Sequence, residues 1–121
     1  MYIPNPTARI GEKAAAEYLK KKGYKIIETN FRKGYGEIDI IALKNKTLVF
    51  IEVKTKTSNK FGSPFEAITN FKMKTLIKTC HFYKLLNPKL PEEMRIDAVG
   101  VYLNYSEQVE RIEHLENISG F

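Results

Sequence analysis

The chain has little cysteine and no long apolar run. Cys80 is the one cysteine among 121 residues, which excludes an intramolecular disulfide and a C-x-x-C zinc site. So little cysteine is typical of a reducing compartment, and we expect a cytoplasmic protein. No apolar stretch approaches the roughly 20 residues that span a bilayer, and the N-terminus lacks the basic and apolar segments of a signal peptide. We therefore expect no membrane partner.

Positive charge is the most informative feature of the composition. The length suits a single domain over residues 1–121, and 43% hydrophobic with 28% charged residues argues against disorder. The formal net charge is +6, which favours acidic partners such as nucleic acid. An anionic membrane surface, or solubility alone, is the alternative interpretation of this charge.

The hydrophobic pattern predicts an α/β fold with the order α-β-β-β-α-β-β. Helical spacing and Gly23 define a first helix, and β-branched runs bounded by breakers define the strands. Such an order predicts a central mixed sheet of four to five strands flanked by helices. The segments are helices over Thr7–Lys22 and Pro64–Leu86, and strands over Tyr24–Phe31, Glu37–Leu43, Thr47–Thr55, Arg95–Leu103 and Val109–Leu115.

The second and third strands should pair as an antiparallel hairpin, because only Lys44-Asn45-Lys46 separates them. With Asn45-Lys46 at the turn, Asp39 falls opposite Glu52, and Lys54 shares the face of Glu52. A three-residue loop would place Ile51 opposite Asp39 instead, so this register is an assumption.

Two carboxylates and a lysine on one face suit phosphodiester cleavage by Mg²⁺ or Mn²⁺. A hard divalent cation prefers oxygen ligands, activates water and stabilises phosphoryl charge. Asp39 and Glu52 are the candidate ligands, with the Val53 carbonyl as a further one, and Lys54 can orient or deprotonate the water. The alternative is an edge strand with a solvated Glu–Lys pair. Facing carboxylates repel each other, and a cation between them removes that conflict.

Five basic residues near this hairpin are candidates for contact with the nucleic-acid backbone. Four flank the two strands, and the fifth interrupts an apolar helical stripe. That fifth lysine either extends along the helix to solvent or points over the sheet towards a substrate phosphate. The five are Arg32, Lys33, Lys56, Lys60 and Lys72.

Other polar residues have ordinary structural interpretations. Asp97 is expected to be structural, pairing with Arg95 or a neighbour. His81 and His114 lack the spacing of metal ligands and are expected at the surface. Cys80 lies within a helical pattern and is expected in the core.

Motifs spread along almost the whole chain closely resemble the YraN-type family of small, uncharacterised bacterial proteins. That family is similar to the PD-(D/E)-x-K, or restriction-endonuclease-like, superfamily, which includes archaeal Holliday-junction resolvases. The motifs are Gly11-Glu12, Ala14-Ala15-Ala16, Tyr18-Leu19, Gly23-Tyr24, Asn30, Gly36-Glu37-Ile38-Asp39-Ile40-Ile41-Ala42, Leu48-Val49-Phe50-Ile51-Glu52-Val53-Lys54 and Arg95-Ile96-Asp97-Ala98-Val99.

The resemblance implies a restriction-endonuclease-like three-layer fold and metal-dependent cleavage of nucleic acid. Under it, Asp39 matches the first metal-binding carboxylate, Glu52 and Lys54 match the E-x-K pair, and Glu12 matches a helix-borne acidic residue. Ile38 stands where the nominal motif has proline. The expected function is a Mg²⁺- or Mn²⁺-dependent endonuclease acting on DNA, including branched or damaged DNA, as a homodimer by analogy. A nucleic-acid-binding module without catalysis and a protein adaptor are the alternatives.

Overall fold

Helices and strands follow one another along the chain in the predicted order. The computed structural model describes residues 5–57, 62–119 and 121. Each strand begins and ends within two residues of its predicted boundaries, and the predicted fifth strand is confirmed. The elements are α1 (Pro6–Lys21), β1 (Lys25–Phe31), β2 (Ile38–Lys44), β3 (Thr47–Thr57), α2 (Asn70–Leu86), β4 (Met94–Leu103) and β5 (Val109–Leu115).

The five strands form one open sheet in the order β1-β2-β3-β4-β5. β3 and β4 are parallel, and the other neighbours are antiparallel, which confirms a mixed sheet. Parallel neighbours need a crossover connection, and α2 provides it. This topology makes β3 the central strand, with β2 on one side and β4 on the other.

Two apolar cores, one on each face of the sheet, produce three layers. Alternate residues of β3 supply both cores, because successive side chains point to opposite faces. Val49 and Ile51 pack with Leu19 of α1, whereas Leu48 and Phe50 pack with the core that includes α2. This arrangement is consistent with the restriction-endonuclease-like fold, so the predicted fold class is confirmed.

α1 begins at a capped turn and packs closely on β3. The Asn5 side chain accepts hydrogen bonds from the backbone N–H groups of Thr7 and Ala8, and Pro6 occupies the first turn. Gly11 permits the close approach, since an added Cβ would lie 1.7 Å from Thr55 Oγ1. Within the described part of the chain, no helix is long and apolar enough to cross a bilayer.

The prediction of one long helix from Pro64 is wrong. Pro64–Ala67 forms a single 3₁₀ turn, and the backbone is extended at Ile68 and Thr69. Thr69 Oγ1 then accepts a hydrogen bond from Lys72 N (3.1 Å), which starts α2 as a separate helix. The apolar residues keep helical spacing across this break, so the spacing alone did not reveal that Thr69 caps a new helix. The predicted stripe is therefore divided, with Phe65 and Ile68 outside the helix and Leu76, Cys80 and Tyr83 buried within it.

Candidate active site

The register of the β2–β3 hairpin places Asp39 opposite Glu52. The turn consists of Asn45 and Lys46, and the paired residues run from Lys44 with Thr47 to Ile40 with Ile51. One further step in the same register brings Asp39 to Glu52, so the assumed two-residue turn is confirmed.

Just beyond the last paired residues of β2 and β3, a side chain takes the place of a main-chain hydrogen-bond acceptor. Val53 N–H donates a 2.7 Å hydrogen bond to Asp39 Oδ2, where a continuing antiparallel strand would offer a backbone carbonyl. A cavity of about 360 Å³ opens at this point. Its walls include Glu12 from α1, Asp39, Glu52 and Lys54 from the hairpin, and Lys72 from α2. The structure therefore brings all four predicted catalytic residues to one cavity.

Asp39 and Glu52 are both buried, with 8% and 4% of their surfaces exposed. Burial, followed by a hydrogen bond with Glu52 and its charge, raises the pKa of Asp39 to about 9. The hydrogen bond from Val53 N–H opposes this rise. The folded protein therefore keeps a proton on Asp39 at neutral pH, next to Glu52.

Two lysines approach the same carboxylate. Glu52 Oε2 lies 3.8 Å from Lys54 Nζ and 3.5 Å from Lys72 Nζ. Burial, and then the adjacent Lys72, lower the pKa of Lys54. Burial also lowers the pKa of Lys72, but the hydrogen bond with Lys54 and the charge of Glu52 together raise it above its ordinary value. Of the two interpretations of Lys72, the structure supports the one in which it points over the sheet.

Glu12 is held in place by a residue that the sequence analysis gave no role. Asn30 Nδ2 donates a 2.9 Å hydrogen bond to Glu12 Oε1. Asn30 has a φ of 52°, a left-handed conformation that asparagine tolerates better than most residues. An asparagine at the end of a strand was the available signal, but its contact with α1 required the tertiary fold.

The donor set fits a hard divalent cation with water completing its coordination. Among the residues described, no three His, Cys, Asp or Glu side chains converge as a metal-binding group. Glu12 therefore does not join Asp39 and Glu52 as a third ligand. The two buried carboxyl groups are the remaining candidates, and Mg²⁺ commonly binds through one or two carboxylates while keeping several waters. A cation bound there would compete with the proton that Asp39 otherwise holds. The Val53 carbonyl remains a predicted additional ligand.

The remaining predicted nucleic-acid contacts have different surroundings. Arg32 Nε lies 3.8 Å from Glu37 Oε1, and Lys33 is exposed. Lys56 is half-buried and lines a neighbouring cavity together with Lys54. Lys60 lies outside the described residues. Nucleic-acid binding by these residues stays a prediction.

The predicted pairing of Asp97 with Arg95 is confirmed. Arg95 Nε lies 3.0 Å from Asp97 Oδ1, which the N–H of Asn117 also approaches at 2.9 Å. Burial raises the pKa of Asp97, but hydrogen bonds from His114, Asn117 and Arg95 hold it below its ordinary value. The surface prediction for His114 is wrong. Its side chain is 9% exposed with Nε2 2.8 Å from Asp97 Oδ2, because the pairing of β5 with β4 brings it there.

Cys80 and His81 lie where the sequence predicted. Cys80 belongs to α2 and is fully buried in the core, and burial raises the pKa of its thiol. A thiol with a raised pKa carries little thiolate, so Cys80 is poorly suited to nucleophilic chemistry. His81 is exposed and makes an edge contact with Phe121.

Comparisons with known proteins agree on one family. Residues 11–101 match the family described as "Uncharacterised protein family UPF0102". A UPF0102 protein of Caldanaerobacter subterraneus is 44% identical over 109 residues, covering 89% of each chain. UPF0102 proteins of Syntrophomonas wolfei and Flavobacterium psychrophilum are each 42% identical, covering 88% and 93% of this chain and 91% and 92% of their own lengths. The resemblance to the YraN-type family is thereby confirmed, and the chain belongs to the uncharacterised protein family UPF0102.

Proposed function

We propose that this protein is a metal-dependent endonuclease that hydrolyses phosphodiester bonds in DNA. The observation that carries the proposal is the pair of buried carboxylates, Asp39 and Glu52, facing each other beside two lysines. A pair of this kind is costly for a fold to bury unless a proton or a cation occupies it. The resemblance to nucleases accounts for the same residues as a functional set.

Each side chain has a role that its surroundings support. Asp39 and Glu52 would hold Mg²⁺ or Mn²⁺, which when bound polarises the phosphoryl oxygen and makes bound water more acidic. Lys54, whose pKa is lowered, is suited to orient the attacking water and take up its proton. Lys72 carries a positive charge at the cavity wall, where it can bind a phosphate oxygen. Glu12, fixed by Asn30, supplies a further acceptor for ordered water.

The substrate and surroundings follow from charge and analogy. A net charge of +6 favours a nucleic-acid partner. Branched and damaged DNA are the first substrates to test, because the resemblance includes junction resolvases. We also propose a cytoplasmic location, and a homodimer that would bring two sites to a branched substrate.

Cleavage of defined DNA tests the proposal. Branched, nicked and linear DNA are incubated with the purified protein in Mg²⁺, in Mn²⁺ and in EDTA. We expect metal-dependent cleavage that Asp39→Ala and Glu52→Ala each reduce by roughly 100-fold or more. Glu110→Ala is the matched control, since Glu110 is an exposed carboxylate on β5, and it should leave cleavage unchanged.

Two results would contradict a nuclease. Inactivity of the clean protein on every substrate with both metals would oppose it directly. Salt-sensitive DNA binding without cleavage, unchanged by Asp39→Ala, would instead indicate a non-catalytic binding module on the nuclease fold.

A further inference from the structure

A second cavity adjoins the candidate active site between α1 and β1. We call it the α1–β1 groove, and its volume is about 430 Å³. Its polar walls are Arg9, Glu12, Lys13, Thr29, Asn30 and Arg32, with Asp39 at its inner side. Glu12 and Asp39 also line the active-site cavity, so the two spaces share a wall.

A third cavity continues on the other side of the active site. It has a volume of about 400 Å³ and lies between the start of α1 and the end of β3. Ala8, Val53 and Lys54 line both this cavity and the active-site cavity. The three spaces therefore form one trough along the first half of α1. Carboxylates lie in its middle, and cationic side chains lie at both ends.

Among the cations that line the α1–β1 groove, Arg9 and Lys13 are the best candidates to bind a ligand. They lie four residues apart on α1 and are both exposed. Within the described ranges, neither forms an ion pair with a carboxylate. Neither charge is therefore fixed in a salt bridge with a carboxylate of the groove.

The position of Arg9 is also unfavourable for the helix itself. Arg9 lies at the N-terminal end of α1, whose first turn contains no acidic residue. The positive end of a helix dipole disfavours a cation there. Local departures of this kind are expected where a residue serves function rather than folding.

We propose that one DNA strand lies along this trough, with the phosphates on one side of the cleaved bond bound in the α1–β1 groove by Arg9 and Lys13. The proposal rests on the proposed nuclease function of the site between the two ends. Phosphates are the ligands that match paired, solvent-facing cations next to a metal-binding carboxylate site. Glu12 and Asn30 form the wall past which the strand runs into the active-site cavity.

Binding measured without cleavage tests the groove separately from catalysis. A short single-stranded DNA oligonucleotide is titrated with the protein in EDTA at several salt concentrations. The double variant Arg9→Ala/Lys13→Ala is compared with Lys20→Ala/Lys21→Ala, which removes the same charge from exposed positions at the other end of α1. Thermal denaturation of both variants verifies that they are folded.

We expect the groove variant to bind about tenfold more weakly near 100 mM salt, with the slope of log K against log salt reduced by roughly 1 to 1.5. The control variant should stay within about twofold of the wild type. Equal losses of DNA affinity in the two double variants would overturn the groove proposal. Unchanged DNA binding by Arg9→Ala/Lys13→Ala would also overturn it if the wild-type protein cleaves DNA with metal. A wild-type protein that neither binds nor cleaves DNA would overturn the proposed function as well.

Discussion

At the residue scale, Asp39 both makes a structural hydrogen bond and belongs to the candidate active site. Asp39 Oδ2 accepts a hydrogen bond from Val53 N–H just beyond the last paired residues of β2 and β3. The same carboxyl group faces Glu52 within hydrogen-bond reach. The period-2 alternation of strands and the two-residue turn were enough to predict that Asp39 and Glu52 are opposed. The bond to Val53 was not predictable, because it depends on where the main-chain pairing stops.

Asp39→Asn should stabilise the metal-free protein at neutral and alkaline pH. The folded protein holds a proton on Asp39 up to a pH of about 9, whereas the unfolded chain releases it near the ordinary value of 3.8. The stability that this proton contributes is present below the unfolded pKa and is lost as the pH rises towards the folded pKa. Asparagine keeps a neutral side chain throughout, so its melting temperature at pH 8 should exceed that of the wild type by roughly 2–6 °C.

The same comparison contains its own control. The difference in melting temperature between Asp39→Asn and the wild type should shrink as the pH falls towards 5. A difference that is constant with pH, or a variant less stable at pH 8 than the wild type, would contradict a raised pKa of Asp39 in the folded protein.

Asn30→Gly should lower turnover with little loss of stability. Glycine adopts the φ of 52° without strain, so the variant removes the amide that holds Glu12 while keeping the backbone. We expect kcat to fall by roughly tenfold, with KM almost unchanged, because Asn30 positions Glu12. Asn45→Gly is the matched control at φ 55° in the hairpin turn, and equal kinetic effects from both variants would oppose the positioning role.

At the element scale, the start of α2 determines whether Lys72 reaches the site. A 3₁₀ turn over Pro64–Ala67 and extended backbone at Ile68 and Thr69 precede α2, which therefore begins as a separate helix at Asn70. Lys72 consequently lies in the first turn of α2, beside Glu52. A continuous helix from Pro64 fits the apolar spacing equally well. The capping threonine was visible in the sequence, but the choice between the two arrangements depends on packing against β3 and β4.

Thr69→Ala should destabilise the protein and weaken the placement of Lys72. The variant removes the hydroxyl that accepts Lys72 N–H at 3.1 Å, and loss of an N-cap costs about 1 kcal/mol. We expect a lower free energy of unfolding in a urea titration, with an unchanged dependence on urea concentration. Thr69→Ser keeps the hydroxyl and should retain most of the stability; if serine is as destabilising as alanine, capping is not the cause.

At the scale of the whole molecule, the site is assembled from segments far apart in the sequence. The hairpin residues Asp39, Glu52 and Lys54 were predictable because local alternation and one short turn relate them. The contacts of Lys72 with Glu52, Asn30 with Glu12, and His114 with Asp97 join different elements. The periodicity of a single element contains no information about contacts between elements. The sequence therefore left the direction of Lys72 open, gave no role to Asn30 and wrongly placed His114 at the surface.

Metal binding should stabilise the folded protein, and more strongly at higher pH. A divalent cation bound by Asp39 and Glu52 must displace the proton on Asp39, so protons compete with it below the raised pKa of Asp39. The affinity for Mn²⁺ should therefore rise by up to about tenfold per pH unit between pH 6 and 8. Because a ligand that binds only the folded state raises its stability with concentration and affinity, the Mn²⁺-induced rise in melting temperature should grow over the same range.

Calorimetric titration and thermal denaturation with Mn²⁺ at each pH measure both effects. Titrations in buffers of different ionisation enthalpy should show proton release on binding that diminishes towards pH 9. Glu52→Gln and Asp39→Asn should each abolish most of the metal-induced stabilisation, whereas Glu110→Gln should retain it. A stabilisation that is independent of pH, or that persists in both site variants, would place the cation elsewhere and remove the chemical basis for assigning hydrolysis to this pair of carboxylates.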